Sequence, residues 1–241
     1  VGNISSALSN AIGNVAAEFM LDHIRDGDVL AITPGTAVQA VTQSLDASRS
    51  YKIEIVPILG AVQGEIKTDM NYLATHMADS LGAKSYQLNA PAFVDTPEHC
   101  ETLQNMKPVK DILDIARKAD VALLGVGTVD PEASRFVQYT ALSAEEMNRI
   151  ADVCGGVGEI SAHVYDIEGQ PCSKEYSDRV IGLTLDEIKN IPYRIGVAAS
   201  ESKALPIYGA LRGGYLHALI TDEAAARGAL EIFDETFRSK S

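Results

Sequence analysis

The chain has 241 residues, a net charge of −13, and 46% hydrophobic against 22% charged residues. That mix excludes a disordered chain and fits one globular domain, or two at most. With 20 Lys and Arg against 33 Asp and Glu, and only Arg25 and Arg49 before Lys52, it lacks the clustered basic surface that gripping nucleic acid needs.

Leu8, Ile12, Val15, Ala16, Phe19 and Met20 recur at three- and four-residue spacing, which predicts an opening helix that Ser5 or Ser6 can cap. Asp26-Gly27-Asp28 ends it in a turn, and a short buried strand is expected over 29–33. Pro34-Gly35-Thr36 reads as a tight loop, and helical spacing returns over 38–45. The unit then repeats in kind: a β-branched strand over 53–59, a loop over 60–64, and a helix over 69–81 with Gly82 in the stop position. A strand is expected over 85–89, a helix start at Thr96-Pro97-Glu98, a helix over 109–119 and an apolar strand over 121–125. Ser143 with Glu146, and Thr184 with Glu187, match capping boxes. Strands over 194–199 and 216–221 alternate with helices over 202–211 and 222–237. Such alternation argues for an α/β fold built on a largely parallel sheet with helices on both faces. No Gly-, Pro- or Ser-rich linker divides the chain, and no fixed-period repeat is present.

No apolar run approaches a membrane span, and the start VGNISSALSN has no signal-peptide pattern. Cys100, Cys154 and Cys172 are odd in number and lack CxxC spacing, so neither a disulfide framework nor a zinc site is expected, and a reducing cytoplasm fits. The five histidines show no metal-ligand spacing, and no HExxH, GxSxG or GxxxxGK[ST] motif is present.

Ligands of an open parallel sheet bind beyond the carboxyl ends of its strands, so the loops there are the candidates. In Thr33-Pro34-Gly35-Thr36-Ala37 the backbone can approach a ligand, and the following helix start suits an anion; the alternative is an ordinary N-cap. After Gly60-Ala-Val-Gln-Gly64, Asp69 can cap its helix or accept sugar hydroxyl protons. Gly125-Val-Gly127-Thr-Val-Asp130 begins like a dinucleotide fingerprint, but Asp130 replaces the third glycine; a turn that leaves room beside a pocket is the better reading. Gly155-Gly-Val-Gly158 reads as a flexible loop before Glu159, whose carboxylate either binds two sugar hydroxyls or is solvated. Lys203 falls in the first turn of a helix, where the dipole disfavours a cation unless a bound anion offsets it or the side chain points into water.

The segments AITPGTAVQAV (31–41), IVPILGAVQG (55–64), LGAKSYQLNAPAFV (81–94), ADVALLGVG (119–127), LSAEEM (142–147), GGVGEISAHVYDIEG (155–169), DRVIGLTLDEIKNIP (178–192), IGVAASESKALPIYGALRGG (195–214) and ALITDEAAA (218–226) cover nearly the whole chain. In this order and spacing they resemble the C-terminal effector-binding domain of SorC/DeoR-type sugar-responsive bacterial transcriptional regulators. The resemblance implies a Rossmann-like, mostly parallel sheet, similar to the glucosamine-6-phosphate deaminase, ribose-5-phosphate isomerase and CoA-transferase-like fold. It implies that 1–241 forms an effector-binding and oligomerisation domain, a homodimer or homotetramer, that takes a sugar or sugar phosphate without turnover or cofactor. Family members carry an N-terminal helix-turn-helix domain. None is visible here, so this chain is expected to be a fragment that meets DNA only through such a domain, in the cytoplasm and away from membranes.

Site positions carry over on the same basis. Pro34, Gly35, Thr36 and Ala37 fall on the phosphate-cradling loop, with Gly127 in the glycine-rich turn beside the pocket. Asp69 falls on a polar effector contact, Glu159 on the acid that contacts sugar hydroxyls, and Lys203 on the lysine that holds the phosphate or the sugar. Arg135 lies near an arginine that some relatives use. Ala37 stands where phosphosugar-binding relatives often have threonine, and Leu59 where some have arginine. Both changes remove donors, so a monophosphate or an unphosphorylated sugar is expected rather than a bisphosphate. The rival reading is a sugar-phosphate isomerase or deaminase on the same fold, which would need a base beside a carbonyl. A purely structural oligomerisation module is a third, against which Lys203 and the glycine-lined loops weigh.

Overall fold

The computed structural model describes residues 5–47, 49–62, 68–130, 134 and 143–239. Gly64 and Arg135 lie outside the described residues. In the first half, α1 (Ser6–His23), β1 (Val29–Ile32), α2 (Thr36–Gln43), β2 (Glu54–Pro57), α3 (Met70–Leu81), β3 (Lys84–Ser85), α4 (Pro97–Asn105), α5 (Lys107–Ala116) and β4 (Val121–Gly125) follow one another. Then come β5 (Gly127–Thr128), α6 (Ala144–Cys154), β6 (Gly156–Ile160), β7 (His163–Asp166), α7 (Lys174–Ser177) and α8 (Leu185–Lys189). β8 (Tyr193–Val197), a 3-10 turn at Glu201–Lys203, α9 (Ala204–Arg212), β9 (Ala218–Ile220) and α10 (Glu223–Ser239) complete the described chain.

The main sheet has six parallel strands in the order β3-β2-β1-β4-β8-β9. Its central strands β1 and β4 are apolar because both faces are covered, while Glu54, Lys84 and Ser85 mark the β2–β3 edge. Leu30, Ile32, Val121, Leu123, Ile195 and Val197 face one way, onto Ala16 and Met20 of α1, Val41 of α2 and Met77 of α3. Ala31, Val56, Ala122 and Leu124 alternate with them and face Leu113 of α5, Ile188 of α8, Ile207 of α9 and Ala225 of α10. The α/β architecture with helices on both faces is therefore the one that the strand–helix alternation predicts.

Local chemistry sets the element ends. Ser5 caps α1, Thr96 caps α4 with Pro97 at the first position, and Gly82 ends α3 in the left-handed conformation at φ 61°. Thr184 and Glu187 form both halves of a capping box. The second expected box is half formed: Ser143 Oγ accepts from Glu146 N at 3.0 Å, but the Glu146 carboxylate pairs with Arg179 at 2.7 Å.

Three expectations need correction, and one sheet adds to the expected fold. The strand expected over 85–89 stops at Ser85, because the backbone of Leu88 bonds instead to the side chain of Asn71, through Asn71 Oδ1 at 2.9 Å and Nδ2 at 3.4 Å. A second, antiparallel sheet of three strands, β5-β6-β7, stands apart from the parallel one. The glycines expected to form a flexible loop before Glu159 largely belong to it: Gly155 ends α6 in the left-handed conformation, and Gly156 to Ile160 run as strand β6. Finally, Cys154 and Cys172 form a disulfide with a Cα–Cα distance of 5.8 Å, while Cys100 remains free and buried. Their separation of 18 residues carries no local pattern. The β6–β7 hairpin brings them together, with Cys172 N donating to Val164 O at 2.8 Å.

His163 on β7 is buried, its Nε2 finds no hydrogen bond among the described residues, and burial lowers its pKa from 6.5 to about 4. The unfolded chain therefore binds the extra proton first as pH falls. Stability should be full above pH 6.5 and decline towards pH 4, by roughly 3 kcal/mol for this group. Urea midpoints at pH 7 and pH 4.5 check this: His163→Leu should lose less on acidification than the parent, and an equal loss would contradict the assignment.

Candidate functional site

From β1 the chain moves outward through β2 to β3, then returns to lay β4 on the other side of β1. The loops after β1 and β4 therefore diverge and leave a crevice at the carboxyl end of the sheet. Thr33 ties its floor: its backbone N–H donates to Leu123 O at 3.1 Å, and its Oγ1 accepts from Gly125 N at 2.8 Å.

A cavity of about 150 Å³ fills this crevice. A single water needs roughly 10–15 Å³ on such a measure, so the space suits a small organic molecule rather than a lone ion. One wall is Pro34, Gly35, Thr36 and Ala37, with Ser9 and Ile12 of α1 beside them. Gly125 to Thr128 and Val197 to Ala199 follow the ends of β4 and β8, and Glu159, Ser161 and Ala162 come from the side sheet. Lys203 closes the ring.

Gly35 precedes α2 with φ 115°, a backbone state that L side chains rarely adopt, and it provides no side-chain cap. The first-turn N–H groups of α2 are thus left at the cavity wall with the positive end of the helix dipole. Glu159 pairs with Gly127 across the β5–β6 ladder. Its Oε2 accepts from Ala162 N at 2.9 Å, and a Cβ on Gly127 would fall 1.6 Å from Oε1. The bare Cα of Gly127 is what makes room for this carboxylate. Burial pushes the Glu159 pKa up, against the Ala162 N–H and the Lys203 charge, which hold it down.

Lys203 ends the 3-10 turn and occupies the N-cap position of α9. It is half-buried; its backbone N–H donates to Ser200 O at 2.9 Å, and among the described residues its ammonium makes neither a hydrogen bond nor an ion pair. Burial lowers its pKa, opposed by the charge of Glu159. The loop that delivers it is strained at Ser200, φ 105°, and is pinned by Ser200 N donating to Asp222 Oδ1 at 2.9 Å. A lysine is thus held against a helix dipole, unpaired, at a cavity that also holds the Glu159 carboxyl group.

Of the residues expected from the sequence, Pro34, Gly35, Thr36, Ala37, Gly127, Glu159 and Lys203 all line this one cavity. Asp69 does not: its Oδ1 accepts from Asn71 N at 3.0 Å and Tyr72 N at 3.2 Å as the cap of α3, a role worth about 1 kcal/mol. Its neighbour Thr68 lines the cavity instead and accepts from Gly35 N at 3.4 Å. Sequence reasoning missed Ser9, Ile12 and Ser161. Ser9 and Ile12 sit one helical turn apart on α1, a signal indistinguishable from core packing. Ser161 sits in a hairpin turn without the Asn-Gly pattern that would have marked it.

A mixed-charge crevice at the switch point of a parallel sheet defines a small-molecule-binding α/β domain. The model of the Sugar-bind family, a sugar-binding domain, matches residues 2–231, and the chain belongs to that family. It is 29% identical to the transcriptional regulator LsrR of Escherichia coli K12, over 95% of this chain and 71% of that protein. It is 26% identical to the deoxyribonucleoside regulator of Bacillus subtilis, over 92% of this chain and 70% of that one. Among solved structures, the full-length sorbitol operon regulator SorC of Klebsiella pneumoniae superposes with a TM-score of 0.85 at 26% identity, covering 94% of this chain and 74% of that one.

Gly127→Ala should force the Glu159 carboxylate aside and lower stability by about 1–3 kcal/mol. In Gly127→Ala/Glu159→Ala the clash is gone, so the combined loss should be clearly smaller than the sum of the two single losses. Thermal melts of all three variants check this, and simple additivity would contradict the packing.

Proposed function

We propose that this domain senses a small sugar, most tightly one carrying a single phosphate. The observation that carries this reading is the unpaired, half-buried Lys203 on the same cavity as the uncapped start of α2 and the Glu159 carboxylate. Lys203, Thr36 and the helix start take the anionic end, since each offers donors or positive charge. Glu159 accepts from the hydroxyls with the lone pairs that Ala162 N does not use. Leu59 and Ala37 add no donors, which fits one phosphate and not two. In the intact regulator, effector binding changes operator affinity by favouring one of two arrangements of the subunits. A ligand does this only through unequal affinity for the two states.

The relatives are named as regulators rather than enzymes, and the described walls place no histidine and no second carboxylate beside Glu159 to share proton transfer. That supports sensing over turnover.

A thermal-shift panel of free sugars and their monophosphates tests the proposal. A ligand present at 100 times its Kd should add about 2.7 kcal/mol of apparent stability. Lys203→Met should weaken the phosphorylated hit by about 10- to 100-fold and its free sugar far less. Because burial lowers the Lys203 pKa from 10.5, phosphosugar affinity should fall at a less alkaline pH than for an ordinary lysine. If no sugar or phosphosugar moves the melting temperature, the reading fails.

A further inference from the structure

Ser161 carries features that the packing of the hairpin does not explain. It lines the cavity, is 4% exposed, and its Oγ has no hydrogen-bond partner among the described residues. It also sits at φ 52°, next to Ala162 at φ 66°, between the paired residues Ile160 and His163. A turn with two positive φ values favours Asn-Gly, and serine is an uncommon occupant. The turn is held by Glu159, whose Oε2 accepts from Ala162 N, so the position of Ser161 is tied to that of the cavity carboxylate. An unpaired buried hydroxyl and a left-handed serine both cost stability. Alanine would remove the first cost and glycine both.

We infer that Ser161 is a specificity-determining residue whose hydroxyl hydrogen-bonds a sugar hydroxyl beside the one held by Glu159. This rests on the sugar-sensing reading above and deepens it. Rotation about Cα–Cβ moves Oγ between staggered positions, so the buried hydroxyl can turn towards a ligand without movement of the hairpin. A serine hydroxyl both donates and accepts, and Glu159 when ionised only accepts. Together they discriminate a hydroxyl-bearing carbon from its deoxy counterpart, because the deoxy ligand leaves Ser161 unpaired.

The test compares Ser161→Ala and Ser161→Gly with the parent by thermal melting and by calorimetric titration. The probes are sorbitol, sorbitol 6-phosphate, ribose 5-phosphate and 2-deoxyribose 5-phosphate. Without ligand, Ser161→Ala should melt about 2–4 °C higher, since it loses an unpaired buried hydroxyl. Affinity for the best-binding hydroxylated probe should nevertheless fall by about 3- to 10-fold. Ser161→Gly should show the same loss of affinity. The two pentose phosphates, separated by the parent if Ser161 faces their point of difference, should then bind Ser161→Ala with a smaller ratio. A structural role would move stability and affinity down together, and that result overturns the inference. So does an Ala variant that binds like the parent while the parent binds sugar, an outcome that leaves the sensing reading intact. If the parent binds none of these, the best hit of the thermal-shift panel and its deoxy counterpart serve as probes; if that panel has no hit, the sensing reading fails and this inference with it.

Discussion

The reversal of strand order between β1 and β4 is the constraint on which the rest of the molecule depends. Parallel strands cannot be joined by hairpins, so each connection must cross over a face of the sheet. The chain spends β2 and β3 on one side of β1, then β4, β8 and β9 on the other. Only between β1 and β4 do neighbouring loops lead in opposite directions, and Thr33 Oγ1 bridges the gap at the level of Gly125 N. The α2 helix start, the Gly125–Gly127 turn and the β8 loop that carries Lys203 are then brought around one space by topology alone. The antiparallel β5-β6-β7 sheet is the addition that completes it, since it brings Glu159 and Ser161 over the opening.

Two opposite charges in that space do not neutralise each other by contact. Glu159 is held by Ala162 N and seated over Gly127, and Lys203 arrives on a separate, strained loop. Burial pushes the carboxyl up and the ammonium down, so each is disfavoured in its charged form. A ligand with hydroxyls at one end and an anion at the other relieves both at once. The site is poised for such a molecule because its own groups are kept from satisfying one another.

The sequence shows most of the scaffold because the scaffold is locally encoded. The apolar run 121–125, the Gly82 stop, the Thr96-Pro97 start and the Thr184–Glu187 box each rest on residues within one turn or strand, and each stands in the structure. What the sequence hides is non-local. The Cys154–Cys172 disulfide depends on a hairpin that Ser161-Ala162 does not advertise. The early end of β3 depends on Asn71, which lies 17 residues away from Leu88. For the site, the glycine loops and Lys203 were visible as local oddities: a Gly35 turn where the backbone can approach a ligand, and a misplaced cation. Asp69 followed the ordinary capping rule, and Ser161 gave no local sign because its meaning lies in what surrounds it.

The central claim is that one ligand spans the cavity, with its anionic end at Lys203 and the α2 start and its hydroxyls at Glu159. A crystal structure with a bound sugar monophosphate tests this most directly. The account predicts phosphate oxygens within hydrogen-bond distance of Lys203 Nζ and the first N–H groups of α2, and at least one sugar hydroxyl on the Glu159 carboxylate. A ligand bound outside the β1–β4 crevice, or one with its phosphate turned to Glu159, would contradict it.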